Sequence, residues 1–150
     1  MRRSEKEITS RDDIDRIIGR ASVCRLAMID GDVPYIVPLN FGYSGDTLYF
    51  HSAREGRKID VLARGGRVCF EIDGGHELVT AAEPCNWSMR FESVIGYGTV
   101  SFIDQPELKL QALVCIMAHY SPEPFSFPEA SVARIAVFEL QIESMTAKRS

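Results

Sequence analysis

Apolar and polar residues alternate over several stretches of this chain, and a period of two residues predicts β-strands. In residues 48–51, Leu48 and Phe50 would lie on one face of a strand and Tyr49 and His51 on the other, because successive side chains point to opposite sides of a sheet. Further strands are predicted at 67–73, 89–103 and 133–145, with a short one at 77–81 inside a stretch that otherwise favours loop. The pattern therefore predicts a mainly β fold.

Turn residues divide residues 22–52 into three apolar runs. Asp30-Gly31 is a tight-turn signal between the first two runs, and Ser44-Gly45-Asp46 separates the second from the third. We therefore expect three strands in an antiparallel meander. Pro38, inside the second run, cannot donate to a neighbouring strand and indicates an edge strand or a break in pairing.

Three helices are predicted, each beginning at a residue whose side chain can accept a hydrogen bond from the first turn. These N-caps are Ser10 for a helix at 11–21, Ser52 for a helix at 53–64 and Asp104 for a helix ending at 120. An acidic residue three positions later would complete a capping box in each case: Asp13, Glu55 and Glu107. In the long strand at 89–103, Gly96 and Gly98 indicate a bend or a close approach of two backbones.

Length and composition suit a small antiparallel barrel. The chain has 150 residues, 45% of them hydrophobic and 25% charged, so we expect residues 1–150 to form a single domain. About six strands with few helices predict a closed or partly closed β-barrel. The sequence contains neither G-x-G-x-x-G nor G-x-x-x-x-G-K, which leaves Rossmann and Walker-type nucleotide sites unsupported.

Charge and hydropathy exclude several classes of partner. A net charge of −4 argues against general nucleic-acid binding. No apolar run approaches the roughly 20 residues that cross a membrane, and the charged N-terminus lacks the apolar centre of a secretory signal. We therefore expect a cytoplasmic protein without nucleic-acid or membrane partners. The scattered cysteines, with no C-x-x-C pair, predict free thiols and no metal site: Cys24, Cys69, Cys85 and Cys115.

Basic residues crowd the junction between the strand at 48–51 and the following helix. A helix start presents free backbone N–H groups and a partial positive charge, and Arg54, Arg57 and Lys58 would add fixed cations there. Gly56 removes a side chain where a ligand could approach. This junction is a candidate phosphate site. The alternative is a solvated helix face, which this stretch alone favours by roughly two to one.

The preceding strand supplies a second candidate feature. A strand interrupted at Pro38 leaves backbone groups free to bond a planar heterocycle, and Asn40 and Tyr43 lie near its end. His51 ends the next strand and could orient a substrate or transfer a proton near neutral pH. The alternative for His51 is a surface histidine or one satisfied in the core.

These segments together resemble a known superfamily. The stretches VPLNFGY, LYFHSAREGRKIDVL, RVCFEID, WSMRFESVIGYG and IESMTAKRS resemble the flavin-binding split barrels related to pyridoxamine 5'-phosphate oxidase. The branch that matches best contains the 5-nitroimidazole reductase-like, antibiotic-resistance-related proteins. The resemblance extends from about Val23 to the C-terminus. It implies a six-stranded antiparallel split β-barrel and a homodimer that binds two FMN molecules at its interface.

The resemblance also implies a set of site residues. One subunit would bind the flavin ring and phosphate through the strand segment Val37, Pro38, Leu39, Asn40 and Phe41, the pair His51 and Ser52, and the pair Arg57 and Lys58. The partner subunit would reach the flavin through Trp87, Ser88, Arg90 and Phe91, although packing in the barrel or interface is an equal alternative for Trp87. His51, beside the flavin ring, is the expected catalytic residue.

One departure from the oxidases narrows the range of reactions expected of this chain. Their C-terminal Trp and Arg, which shape the pyridoxal phosphate pocket, have no counterpart in MTAKRS, so oxidation of pyridoxamine phosphate is not expected. Three hypotheses stay open. The first is an FMN-dependent reductase of a nitroaromatic or quinone-like substrate. The second is a flavin-binding module without efficient turnover, and the third is a split barrel that binds haem or the deazaflavin F420.

Overall fold

Eight antiparallel strands form one sheet in the computed structural model, which describes residues 4–150. The strands are β1 (Glu7–Ile8), β2 (Cys24–Asp30), β3 (Val33–Leu39), β4 (Gly42–Ser44), β5 (Thr47–Ala53), β6 (Arg67–Val79), β7 (Ser88–Phe102) and β8 (Ile135–Arg149). The helices are α1 (Arg11–Arg20), α2 (Arg57–Ala63), α3 (Pro106–Tyr120) and α4 (Glu129–Val132). Short 3₁₀ turns cover Ser4–Lys6 and Pro84–Asn86.

The order of the strands is β3-β2-β6-β7-β8-β5-β4, and β1 pairs with β8. The sheet does not close, because β3 and β4 each end it. This confirms a mainly β, antiparallel split barrel, but the expected strand count of six is wrong. The second apolar run divides at residues 40–41 into β3 and β4, and β1 adds a short strand before α1.

Because the second apolar run divides into β3 and β4, the predicted antiparallel meander of three strands is wrong. β3 pairs with β2 and β4 pairs with β5, so the two halves of one apolar run lie at opposite ends of the sheet. The predicted turns themselves are confirmed. Asp30 pairs with Val33 and Ser44 with Thr47, and positive φ values of 69° and 60° at Gly31 and Gly45 suit the tight turns. Pro38 lies in the edge strand β3, as predicted.

Two strands are longer than predicted. The stretch read as mostly loop continues β6 to Val79, because a bulge between Gly74 and Glu77 lets the strand keep pairing with β7. β8 continues past Met145 to Arg149 because β7 and β1 pair with its end. The loop between β6 and β7 is correspondingly short.

The glycines of β7 allow backbones to approach closely, as the sequence indicated. A Cβ atom added to Gly98 would lie 2.1 Å from the Gln141 carbonyl oxygen, and one added to Gly96 would lie 2.4 Å from the Phe70 ring. The register between β7 and β8 shifts between Tyr97 and Gly98. Glycine therefore makes room for the bulged contact between the two longest strands.

One of the three predicted N-caps is confirmed. The Ser10 hydroxyl accepts a hydrogen bond from the Asp13 N–H at 3.4 Å. The Ser52 cap is wrong, because β5 extends through Ser52, which pairs with Ala136, and α2 begins only at Arg57. The Asp104 cap is also wrong, because α3 begins one residue later than expected and has Gln105 at its cap position.

Two apolar clusters stabilise this arrangement. The larger fills the barrel and includes fully buried Phe41, Phe50, Phe70 and Phe138, with α1 and α2 packed against it. The smaller lies beneath α3, where Phe127 packs against it while Phe125 stays 41% exposed. All four cysteines are free thiols, which confirms that expectation. Among residues 4–150, no helix is long and apolar enough to cross a membrane.

Candidate functional site

The first turn of α2 lies beside the open edges of the sheet. The Arg57 guanidinium lies 4.4 Å from the centre of the Tyr35 ring on β3. Lys58 lies close enough to His51, at the end of β5, for its charge to affect that imidazole. β3 and β5 are far apart in the order of strands, so α2 brings together the two sides of the split. We call His51, Ser52, Arg57 and Lys58 the α2 corner.

Arg57 is held by its own chain. Its Nε atom donates to the Asp30 carboxylate at 2.8 Å, and Arg64 contacts the same carboxylate. Hydrogen bonds from Arg64 and then Arg57 lower the pKa of Asp30. Because both guanidinium groups are more than half exposed, these ion pairs contribute little stability. Their main consequence is that Arg57 is directed toward the β2–β3 turn.

Lys58, the next residue, has a different environment. It is half-buried, and this burial lowers the pKa of its ammonium group. Within residues 4–150 it has neither a salt-bridge partner nor a side-chain hydrogen bond. An ammonium group in such a place lacks the compensation that buried charges usually have. Lys58 is therefore the cation of α2 that is best prepared to accept an added anion.

His51 lies on the outer face of β5, and the predicted alternation is confirmed. Leu48 and Phe50 are fully buried, while Tyr49 is half-buried and His51 exposed. Partial enclosure of the imidazole, and then the charge of Lys58, lower the pKa of His51. The ring is therefore neutral at neutral pH, so one ring nitrogen can accept a proton while the other donates a hydrogen bond. Ser52 follows His51 in an extended strand, so its side chain lies on the other face of β5.

The segment 37–41 alternates in the same way. Val37 and Leu39 pack against the barrel core, and Pro38 and Asn40 are exposed. Phe41 is fully buried. Within the described chain, β3 pairs only with β2, so its second edge presents backbone N–H and C=O groups that no strand pairs. These groups are available to a planar polar ligand.

The other predicted residues lie at the far end of the sheet, near the start of β7. Trp87 is 50% exposed, and its Nε1–H donates to the Ala81 carbonyl oxygen at 2.8 Å. Arg90 pairs with Glu77 at 3.3 Å. The Phe91 ring lies 5.2 Å from the Lys148 ammonium. Ser88 and Arg90 pair with Val79 and Glu77 at the end of β6. Because α2 precedes the start of β6, these residues lie at the opposite end of that strand from the α2 corner.

The structure adds residues that sequence reasoning missed. Asp30 and Tyr35 orient Arg57, and Tyr120 receives a hydrogen bond from the Phe41 N–H at 2.9 Å. Asp30 was recognised only as a turn residue. Nothing in the local sequence indicates the Tyr120 contact, which joins residues 79 positions apart. No group of three or more His, Cys, Asp or Glu residues suited to a metal ion is found within residues 4–150.

Comparison with known proteins identifies the family. The family model described as pyridoxamine 5'-phosphate oxidase matches residues 10–149. The chain belongs to the pyridoxamine 5'-phosphate oxidase family. Its structure is similar to that of a proposed 5-nitroimidazole antibiotic resistance protein from Bacteroides thetaiotaomicron VPI-5482, with 40% identity and a TM-score of 0.86; the match covers 95% of this chain and 86% of the other.

Two further proteins resemble this chain. The FAD and heme binding protein of Mycobacterium smegmatis is 22% identical, with a TM-score of 0.87 over 97% of this chain and 73% of the other; this likeness concerns the fold alone. Uncharacterized protein RA0666 of Rhizobium meliloti (strain 1021) is 34% identical over 65 residues, or 43% of this chain. That match spans 42% of the length of the curated relative.

The end of β8, which holds most of the C-terminal segment MTAKRS, pairs with β1 and β7. Lys148 lies over the Phe91 ring, and Arg149 pairs with Glu92 at the start of β7. Both cations thus contact side chains of β7 in the same chain.

Proposed function

We propose that this protein is an FMN-dependent oxidoreductase that reduces a small electron-poor compound, a nitroaromatic or a quinone. The observation that carries the proposal is Lys58, a half-buried ammonium group without a partner in the described chain, beside a neutral His51 at the open edge of the barrel. The 40% identity to a proposed nitroimidazole resistance protein supports this choice of substrate class.

The residues of the α2 corner suit a flavin mononucleotide. The Lys58 ammonium would offset part of the negative charge of its phosphate, and charge-assisted hydrogen bonds of this kind are stronger than neutral ones. The unpaired edge of β3 next to Pro38 and Asn40 would bond the polar edge of the ring through backbone groups. A bound flavin would supply the hydride or electron transfer, and the protein would position it.

His51 would act on the substrate. Its imidazole is exposed at the mouth of the corner and neutral at neutral pH. It can therefore donate a hydrogen bond from one ring nitrogen to a substrate oxygen and accept a proton at the other. Arg57, held by Asp30 and Tyr35, would mainly fix the position of α2.

We also propose a homodimer with the flavin at its interface. Ile36, Ala27, Cys69 and Tyr97 lie opposite one another across β3, β2, β6 and β7, and therefore share the outer face of the sheet. On this face Ile29 is 63%, Ile36 59% and Tyr97 45% exposed, around a shallow depression of about 570 Å³. Such an apolar surface favours a partner.

A second copy on this face would complete the site. Trp87, Ser88, Arg90 and Phe91 are remote from the α2 corner of their own chain. Only the partner subunit could bring them to the flavin, as the resemblance to the family implies. A mass of one subunit at micromolar concentration in sedimentation would therefore contradict both the dimer and the shared site.

The first experiment is the visible absorption spectrum of the purified protein, with mass spectrometry of any chromophore released by acid. Bound FMN is expected. Release of FAD, the cofactor named for the Mycobacterium smegmatis neighbour, would correct the cofactor while keeping the flavin site. A haem spectrum, or a protein that stays colourless after incubation with FMN, would overturn the proposal. Anaerobic reduction by NADPH or NADH followed by reoxidation with a nitroaromatic then separates a reductase from a flavin-binding module.

A further inference from the structure

The hydroxyl group of Tyr120, at the end of α3, joins two distant segments of the chain. It accepts a hydrogen bond from the Phe41 N–H at 2.9 Å and donates one to the Ser22 carbonyl oxygen at 2.9 Å. A phenol has one proton to donate, so this geometry uses its donor and one of its acceptor positions. Tyr120 therefore fixes Phe41 relative to the segment that precedes β2.

His119 also connects the end of α3 to Phe41 and to the segment that precedes β2. Its Nε2 atom lies 2.7 Å from the Ala21 carbonyl oxygen; because a carbonyl can only accept, Nε2 must carry the proton. The imidazole ring lies 4.3 Å from the Phe41 ring, at a tilt of 46°. The last turn of α3 thus holds Phe41 through its amide and through its ring.

Phe41 needs these contacts because of its position in the chain. β3 ends at Leu39 and β4 begins at Gly42, so residues 40–41, which we call the crossing, belong to no strand. The next residue is pressed against α3. A Cβ atom at Gly42 would lie 2.7 Å from the Cys115 carbonyl carbon and the Ile116 nitrogen. α3 therefore determines the path by which the chain leaves one edge of the sheet for the other.

We infer that Tyr120 is a positioning residue for the bound flavin. It acts through the crossing, which continues directly from the β3 segment proposed to bond the flavin ring, and does not itself touch the cofactor. The inference rests on the proposed function. On this inference α3, which packs against the crossing, controls the geometry of the β3 edge that is proposed to bond the flavin ring.

The test compares Tyr120→Phe with Tyr43→Phe. Both substitutions keep the ring and remove a hydroxyl with two partners, since the Tyr43 hydroxyl donates to Asp15 at 2.7 Å and accepts from Arg11 at 2.8 Å. In Tyr120→Phe without flavin, we expect the Phe41 amide to exchange with solvent at least about tenfold faster by NMR, because its acceptor is gone. With flavin, the dissociation constant should rise about threefold to tenfold, with a shift of the visible bands. Tyr43→Phe should show none of these changes.

Each outcome decides the inference. Unchanged exchange at Phe41 would overturn it, and so would faster exchange with unchanged flavin affinity and spectrum. If the wild-type protein binds no flavin, the proposed function fails and the inference fails with it. If the wild type binds flavin and the variant binds it equally well with the same spectrum, only the inference fails. If Tyr120→Phe does not fold, the second variant is His119→Gln, which removes the ring from Phe41 but leaves the Tyr120 hydroxyl as acceptor for the Phe41 N–H. It is judged by the flavin dissociation constant and the visible bands alone, and a match of both to the wild type would overturn the inference.

Discussion

Charged side chains at the two ends of the open sheet differ in whether they have a partner of opposite charge. At the far end, where β6 and β8 end and β7 begins, Arg90 pairs with Glu77 and Arg149 pairs with Glu92. At the α2 corner, Lys58 is half-buried and has no carboxylate partner within residues 4–150. Exposed pairs add little stability, whereas an unpaired buried charge lowers it. An anion bound at the α2 corner would therefore give Lys58 a partner that it lacks within residues 4–150.

A second difference appears within α2 itself. Arg57 and Lys58 are neighbours in sequence and both are cationic, but Arg57 contacts Asp30 and Tyr35 while Lys58 lacks such partners in the described chain. Residue type alone would assign both to the same anion. These contacts support the proposal that Arg57 fixes α2 and that Lys58 supplies the charge for an anion.

The largest expected effect is a loss of turnover, and it compares one histidine at each end of the sheet. His51→Gln should lower the turnover number for a nitroaromatic about 100-fold, the usual range for loss of a general acid or base, while flavin content stays within about twofold. His76→Gln is the matched change at the far end, where His76 contacts Asp73 at 2.9 Å, and it should change turnover less than about twofold. Stopped-flow reoxidation of the reduced protein measures both.

Two results would contradict this assignment. Equal losses of turnover and flavin in His51→Gln would make His51 a cofactor-binding residue. A similar loss of turnover in His76→Gln would show that the far end contributes chemistry, and the contrast between the ends would disappear.

The next effect concerns the unpaired cation. Lys58→Met keeps most of the apolar stem and removes the charge, so the dissociation constant for FMN should rise about 10- to 150-fold, since hydrogen bonds to charged groups contribute roughly 1.5–3 kcal/mol. Lys109→Met is the control, because Lys109 is also half-buried on a helix but donates to the Ile135 carbonyl oxygen. Fluorescence titration with FMN gives both constants.

Arg57→Met sharpens the same comparison. If Arg57 mainly orients α2, its substitution should weaken FMN binding less than Lys58→Met does. An equal or larger loss in Arg57→Met would mean that Arg57 leaves Asp30 when the phosphate binds, and that the pair acts as one phosphate site.

Sequence reasoning succeeded where the determining interactions are local. The alternation at residues 48–51 follows from the geometry of a strand, and the close contact at Gly98 follows from the absence of a side chain there. It failed where distant residues decide. Ser52 and Glu55 match the sequence pattern of a capping box, but pairing of β5 with β8 extends the strand through Ser52.

The division of β3 from β4 has the same cause. Pro38 indicated an edge, yet the strand ends at Leu39 because α3, about 70 residues later, binds Phe41 and packs on Gly42. The candidate site depends on this break, since it separates the two edges between which α2 lies. Residue types predicted an anion site at this corner, but only the tertiary contacts distinguish Arg57, which pairs with Asp30, from Lys58, which has no such partner in the described chain.

The smallest expected effect is a pH dependence that originates at the α2 corner. Burial, and then the charge of Lys58, lower the pKa of His51 below its ordinary 6.5, so the unfolded chain binds more protons than the folded chain just below that pH. Stability should therefore fall as pH drops through 6.5 toward the lower folded value. Between about pH 7.5 and about pH 5.5, the free energy of unfolding without flavin should decrease more for the wild type than for His51→Gln. Lys58→Met removes one of the two causes, so its decrease should be intermediate. Urea unfolding at the two pH values measures all three proteins, and an equal decrease in wild type and His51→Gln would mean that His51 titrates normally and that the corner is open to solvent.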